Sequence, residues 1–464
     1  MFENLFTGFF RDRRLEARGH QIIQAICEKK VAIANRYCQN ATEEMGNRRF
    51  MSNPGIDNQD IQKALAAWCR ERASGKVVLI PQDSSEFNYQ SHAGRLSKDD
   101  PHLGPVGNGR DFGFFLHVAL AVDAATGFPM GFPAIRIWSR EWEPDPQRDY
   151  KSLPLEEKES QRWSECAEQA KACLSEAEHL VLIGDRESDI YEVFARVPDA
   201  RCDVLVRCAQ DRRLAGREES LFAYLAALPV RGEMTATIRG NKQRADREAR
   251  LEIRFGTVRL ARPARRGAES GPPEVEIQVI EIREKAASAP AGEDPIRWRL
   301  ATTLPVASAA EAEQAARWYA GRWWIEELFR TLKREGLNVE AAQYESGRAL
   351  QRLALLALQA ALRILQLTRA REGNYPIPPE TVFTPEELAC QEKLLPQLEG
   401  KTAKQKNPFP RTNLAWSAWI IARLGGWKTV YAKKAPPGVI TMKRGLECFY
   451  QLFAGWQIAN SLGP

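Results

Sequence analysis

The sequence predicts an α/β fold: a mixed-sheet core carrying a β-strand insertion, flanked by helical segments at both ends. Three observations carry that expectation. Short apolar runs such as Val77-Val78-Leu79-Ile80 and Leu180-Val181-Leu182-Ile183 read as buried strands and alternate with helical stretches. Residues 234–303 read as alternating strands, broken by Gly267-Ala268-Glu269-Ser270-Gly271-Pro272-Pro273. Long helical patterns then cover residues 309–335 and 349–371.

Each part follows from local chemistry. In the first block Ile22, Ile23, Ile26, Ile33 and Ala34 recur at helical spacing, and Asp57 reads as the N-cap of a helix through Trp68. From Lys76 the character changes. Strands are expected at 77–80, 114–122, 134–138, 180–184 and 204–206, with helices at 161–177 and 189–196. After the second long helix, Tyr375-Pro376-Ile377-Pro378-Pro379 stops the helical pattern, because proline cannot continue it. Apolar helical segments at 416–424 and 446–456 close the chain. The expected division is 1–73, 74–372 with the insertion at about 232–305, and 373–464.

Composition narrows the function classes. Hydrophobic residues make up 44% and charged residues 27%, ordinary for a globular protein. No run of about 18 apolar residues occurs, so no membrane span is expected. The first six residues lack the pattern of a secretory signal. The nine cysteines form no CxxC pair and are odd in number, which points to reduced thiols in a cytoplasm. Net charge is only +6, yet basic residues cluster at 11–49 and 239–266, the footprint of a polyanion partner or of a plain solvated surface.

Three carboxylates stand out. Asp83 and Asp185 each follow an apolar strand, so neighbouring strands would bring both to one sheet edge. An Asp in that position also serves as a turn former or helix cap. Oxygen ligands suit Mg²⁺ or Mn²⁺, and like charges held close need a cation. The third is Glu326. Tyr319, Arg322, Glu326 and Lys333 are spaced three, four and seven apart and share one stripe of a helix. An acid between Arg and Lys suits metal-assisted phosphoryl chemistry; the same spacing also makes an ordinary Arg322–Glu326 surface ion pair.

The Tyr319, Arg322, Glu326, Lys333 spacing resembles the Tyr-Arg-Glu-Lys signature of bacterial insertion-sequence transposases. These are DDE-type cut-and-paste enzymes, and the likeness includes the transposase of the kanamycin-resistance composite transposon. Asp185-Arg186-Glu187-Ser188-Asp189-Ile190 resembles the segment around that family's second catalytic aspartate. Gln82-Asp83-Ser84-Ser85 resembles the segment around its first, with serines where threonines are usual.

The resemblance implies a ribonuclease-H-like core, which the strand and helix order also suits. It implies two Mg²⁺ ions (Mn²⁺ substituting) on Asp83, Asp185 and Glu326, roughly 3.5–4 Å apart. It implies cleavage of double-stranded DNA at inverted-repeat ends through a hairpin, then joining of the 3′-OH to target DNA. Tyr319, Arg322 and Lys333 would hold phosphates, and Trp298 and Arg207 would lie at a flipped nucleotide. Trp323 would either stack on a base or belong to the core. The N-terminal helices, with Arg13, Arg14, Arg18, Lys29, Lys30, Arg48 and Arg49, would read the DNA ends. The C-terminal helices, with Trp416, Trp419, Ile420, Leu424, Leu446, Phe449, Leu452 and Trp456, would either dimerise or form an internal core; a homodimer would pair two ends. An internal start at Met51 would remove much of the DNA-binding arm. The resemblance places the protein in a bacterial cytoplasm, on the nucleoid. The competing expectations are a structure-specific metal-dependent nuclease and a non-catalytic DNA-binding inhibitor of transposition.

Overall fold

The computed structural model describes every residue except 1–3, 34–36, 39, 144–154, 239–246, 265–270, 291, 334–335, 429–435 and 462–464. Ala34, part of the basic run at 239–266, most of the Gly/Pro break at 267–273 and the expected helix end at 335 therefore lie outside the described residues. Among the described residues, three named helices open the chain: α1 (Arg13–Lys29), α2 (Ala41–Ser52) and α3 (Asn58–Ala73). Their caps are Asp12, Asn40 and, as expected, Asp57, which accept the backbone N–H groups of Arg14, Glu43 and Gln59. Each satisfies a donor that a helix start would otherwise leave orphaned.

Ten strands among the described residues form one mixed sheet. They are β1 (Val77–Asn88), β2 (Gly104–Val106), β3 (Asp111–Asp123), β4 (Pro129–Trp138), β5 (His179–Gly184), β6 (Cys202–Arg207), β7 (Gly232–Ile238), β8 (Arg247–Ala261), β9 (Glu274–Glu284) and β10 (Arg297–Thr302). The order is β2-β3-β1-β5-β6-β10-β9-β8-β7, with β4 also on β3. β1, β5 and β6 run parallel, while β3 and β10 flank them antiparallel. Helices α4 (Arg162–Cys173), α5 (Tyr191–Arg196) and α6 (Leu221–Ala227) lie among the central strands in sequence. The inserted strands are thus no separate unit. β10 pairs with β6, and this covers an edge that would otherwise expose unpaired backbone groups.

The long helix expected over 309–335 is two helices, α7 (Ala309–Ala320) and α8 (Trp323–Lys333). At the joint the N–H groups of Arg322, Trp324 and Ile325 bond to carbonyls three residues back, a tighter winding than an α-helix. Gly321 favours a break there. The remaining helices are α9 (Gly347–Ala370), α10 (Pro385–Leu398), α11 (Leu414–Leu424) and α12 (Val439–Ser461).

α9 is the spine. All its residues but Arg348 and Arg369 are buried. It is long and apolar enough to cross a membrane by length and composition, but 94% of that stretch is buried inside this fold. A helix buried on every side takes a core position, and its buried polar side chains then need partners inside the fold. Ile22, Phe50 and Leu65 share one core with Leu353 and Leu356, while Ile364 and Leu367 share a second with Trp416, Ile420 and Phe449. The cores therefore do not divide at the expected boundaries near 73 and 372. A product starting at Met51 would lose α1, which packs on α9, and so would bare this core as well as remove basic residues.

Two buried arginines pin α9 in place. Arg352 donates to the carbonyls of Phe50, Met51, Asn53 and Ile56 and to Asn58 Oδ1, satisfying the open end of α2. Arg363 donates to both Glu387 oxygens at 3.2 and 3.0 Å, and Tyr450 donates to the same carboxylate. That ties α9 to α10 and α12. Close crossing of α11 and α12 needs Gly445, whose added Cβ would stand 1.8 Å from the Ile421 carbonyl oxygen.

Candidate active site

β1 and β5 are parallel neighbours with Pro81 opposite Ile183, and Asp83 and Asp185 come two residues further on. The expectation that both aspartates end their strands holds only for Asp185. β1 continues through Asp83 to Asn88 because its pairing with β3 runs on, from Asp83 opposite Val118 to Asn88 opposite Gly113. Asp185 caps the short turn after β5, accepting from Glu187 N at 2.8 Å. That turn requires Gly184, since a Cβ there would meet Ser188 Oγ at 1.9 Å.

α8 packs on β1 and brings in the third carboxylate. Arg322 Nη1 donates to Asp83 Oδ2 at 3.2 Å, and its Nη2 donates to Glu326 Oε1. Burial pushes the Asp83 carboxyl up to about 6; Arg322 and the Ser84 N–H oppose this, and Asp185 and Glu326 add to it. Burial works against the Arg322 charge too, yet Tyr319, Asp83, Glu326 and Asp185 hold it above the ordinary arginine value. All three carboxylates therefore act on one guanidinium.

The rest of the signature has unequal exposure. Tyr319 is buried, its hydroxyl pushed up by burial against the pull of Arg322 and Arg207. Trp298 packs edge-on to Tyr319, ring centroids 5.8 Å apart. Lys333 Nζ donates to the Glu86 carbonyl and to Ser85 Oγ at 3.3 Å, and lies 3.4 Å from Glu340. Because of the joint at Gly321, Tyr319 lies on α7 while Glu326 and Lys333 lie on α8, so the expected single stripe is bent. Trp323 is 58% exposed, which removes it from the core.

A support network missed by sequence reasoning stiffens β1 from its other face. Arg162 Nε donates to Ser84 Oγ at 2.8 Å, which pairs with His117 Nδ1 at 2.8 Å, and His117 Nε2 meets Gln82 Oε1 at 3.1 Å. Burial, with Arg162 and Arg136 nearby, holds His117 well below the ordinary histidine value, so it stays neutral. Strand alternation was the available signal: Gln82 and Ser84 must face away from Asp83.

The N-terminal basic residues do not form one group. Arg13, Arg14, Lys29, Arg48 and Arg49 are exposed, with Arg14 paired to Asp12 and Arg48 to Glu44. Arg18 is half-buried against Asn47. Lys30 corrects the expectation. It is fully buried 5.8 Å from the Tyr450 ring, and burial pulls it down to about 8, so it cannot meet DNA in this fold. In the C-terminal set, Trp416, Trp419, Ile420, Leu446 and Phe449 are buried within the chain, the internal-core alternative; Leu452 stays 41% exposed.

Three carboxylates make an oxygen-only donor set of the kind that hard divalent cations take. Among the described residues no three His, Cys, Asp or Glu side chains stand at metal-binding geometry. Arg322 occupies the space between Asp83 and Glu326 and supplies the positive charge. The residue types fit a divalent ion, provided that Arg322 yields its place.

The site is thus an acidic centre beside the parallel pair β1 and β5, bordered by Arg322 and Lys333. Residues 157–363 match the family model described as the transposase DDE domain, which supports a DDE-type transposase. Asp185 and Glu326 lie inside the matched segment, whereas Asp83 precedes it and joins them through the β1–β5 pairing.

Proposed function

We propose that the protein is a DNA transposase that cuts the ends of its element and joins the freed 3′-OH to target DNA. The observation that carries this reading is Asp83 meeting Arg322, and through it Glu326, from 239 residues away, beside Asp185 and within a chain that matches a transposase DDE domain. Asp83, Asp185 and Glu326 would hold two Mg²⁺ ions, for which Mn²⁺ would substitute. When bound, these supply Lewis-acid charge at the attacking and leaving oxygens of an in-line displacement.

The chain's own residues supply the rest. Arg322 neutralises the carboxylates until substrate arrives and is then placed to hold a phosphate. Lys333 clamps the backbone at the far end of α8, and the exposed Trp323 offers a stacking face. At each displacement one P–O bond forms as another breaks. Water first frees a 3′-OH, this attacks the opposite strand to give a hairpin, and after water reopens the hairpin the 3′-OH attacks target DNA. Tyr319 is buried and Trp298 covers it, which suits a positioning role and not a nucleophile. Arg207 and Trp298 line the side where a distorted nucleotide would sit. The exposed Arg13, Arg14, Lys29, Arg48 and Arg49 suit DNA-end contacts, and the outer end of α12, with Leu452 and Ile458, suits a homodimer contact.

The test uses purified protein, Mg²⁺ and duplexes carrying the inverted repeats that flank the gene. Wild type is expected to cleave the ends and join them to a plasmid. Glu326→Ala should keep DNA binding and lose cleavage by more than the ~10–100-fold that loss of a metal's outer-sphere partner costs. Retained cleavage in Glu326→Ala would falsify the assignment, and cleavage without joining in wild type would make the protein a nuclease.

A further inference from the structure

We propose that a separate pocket built by Arg186, Arg207, Arg297 and Arg299 binds a single backbone phosphate of DNA beside the carboxylate centre. The inference rests on the DNA reading above. A cavity of about 340 Å³ opens where β6 ends and β10 begins, and these four arginines line it with no acidic residue among its walls. Its place is at the Tyr319 end of the Tyr319, Arg322, Glu326, Lys333 row. Arg186 directly follows Asp185, Arg207 acts on the Tyr319 hydroxyl, and Trp298 between Arg297 and Arg299 packs on Tyr319.

The charge in this pocket is not balanced by the fold. Arg297 Nε and Arg299 Nε donate to the same Glu281 oxygen at 2.8 and 3.2 Å. Glu281 is fully buried and also lies 3.6 Å from Arg254. One carboxylate thus serves both pocket arginines, while Arg254 has its nearer partner in Glu252 at 2.9 Å. Arg186 and Arg207 form no side-chain hydrogen bond or ion pair with any described residue. An anion is what would complete this set, and the planar fork of a guanidinium matches phosphate oxygens.

The pocket is also built before a ligand arrives. The Arg299 guanidinium lies 3.9 Å over the Phe222 ring. The floor is the loop after β6. Ala209 N and Gln210 N donate to Asp189 Oδ2 at 2.8 and 2.9 Å, and the buried Arg212 clamps the other Asp189 oxygen at 2.7 Å. Cys208 N donates to the Arg299 carbonyl at 2.8 Å, locking floor to wall. Arg297 and Arg299, already held in this way, lose little freedom on binding.

A shared phosphate makes a sharp prediction. Each phosphate neutralised contributes about 0.9 to the slope of log K against log salt. Fluorescence anisotropy with a labelled inverted-repeat duplex, without divalent metal and from about 50 to 200 mM salt, measures that slope. Arg186→Gln and Arg297→Gln should each lower it by about one, and the double variant by no more than either. Both side chains are exposed; the Arg186→Gln melt should coincide with wild type, whereas Arg297→Gln removes one ion pair of the buried Glu281, so its slope is measured well below its own melting temperature. Unchanged slopes in both single variants overturn the pocket. A loss of about two in the double variant overturns the single shared phosphate. Absence of salt-dependent binding in wild type would sink the DNA reading along with the pocket. Retained cleavage in Glu326→Ala would sink the assigned chemistry while the slopes still stood.

Discussion

Arg352 and Arg363 on α9, and Arg322 at the joint of α7 and α8, are all withdrawn from solvent, yet their surroundings differ. Arg352 meets four carbonyls and one amide oxygen, and Arg363 meets one carboxylate held by both oxygens. Each cation is thus answered by fixed oxygen acceptors, as a buried charge requires. Arg322 instead faces Asp83 and Glu326 with Asp185 in range, so one positive charge answers three negative ones. The spine arginines are held by fixed oxygen acceptors; the carboxylate centre is short of positive charge. A region that is finished serves stability, and one that is unfinished is where a cation or phosphate adds free energy.

The largest expected effect tests the finished side. Arg363→Ala leaves Glu387 buried without its partner and should cost about 3–5 kcal/mol in urea denaturation. Replacing both members, Arg363→Met with Glu387→Leu, should cost much less, because no orphaned charge remains. A double variant as unstable as the single one would show that packing, and not charge, makes this region stable.

The next effect tests the unfinished side. The Asp83 carboxyl titrates at about 6 in the fold against an ordinary 3.8. Its folded value is the higher one, so ionisation is what the fold resists. Below the ordinary value both states hold the proton and there is no penalty. The penalty grows between the two values and is complete above about 6, reaching up to about 3 kcal/mol. Metal-free wild type should therefore lose stability over that window relative to Asp83→Asn, and Mg²⁺ should restore part of it. Parallel curves for the two proteins across the window would show that Arg322 neutralises the centre by itself.

The smallest effect concerns the edge of the centre. Lys333→Ala should weaken DNA binding and lower the salt slope by about one. An unchanged slope would mean that Lys333 spends its charge on Glu340 and the Glu86 carbonyl, as it does in this structure.

Much of the site was legible because it depends on local patterns. Apolar runs before Asp83 and Asp185 announce strands, and the Tyr319-to-Lys333 spacing announces a helical face. Asp57 was readable as a cap because capping is a matter of two or three residues. Lys30 was misread because a lysine beside another lysine looks solvated, and only the packing of α1 against α12 hides it. The arginine pocket was invisible for the same reason. Arg186 and Arg207 are 21 residues apart, and Arg297 and Arg299 lie about 90 further on.

The sequence by itself determined which side chains can carry the chemistry and roughly where the main strands and helices run. Those follow from side-chain chemistry and short-range periodicity. Only the tertiary structure decided that β1 lies beside β5, that β10 closes the β6 edge, that the signature helix bends at Gly321, and that Arg322 stands among the carboxylates. Each of these depends on residues far apart in the chain sharing hydrogen bonds, space or charge, and such terms have no local signature.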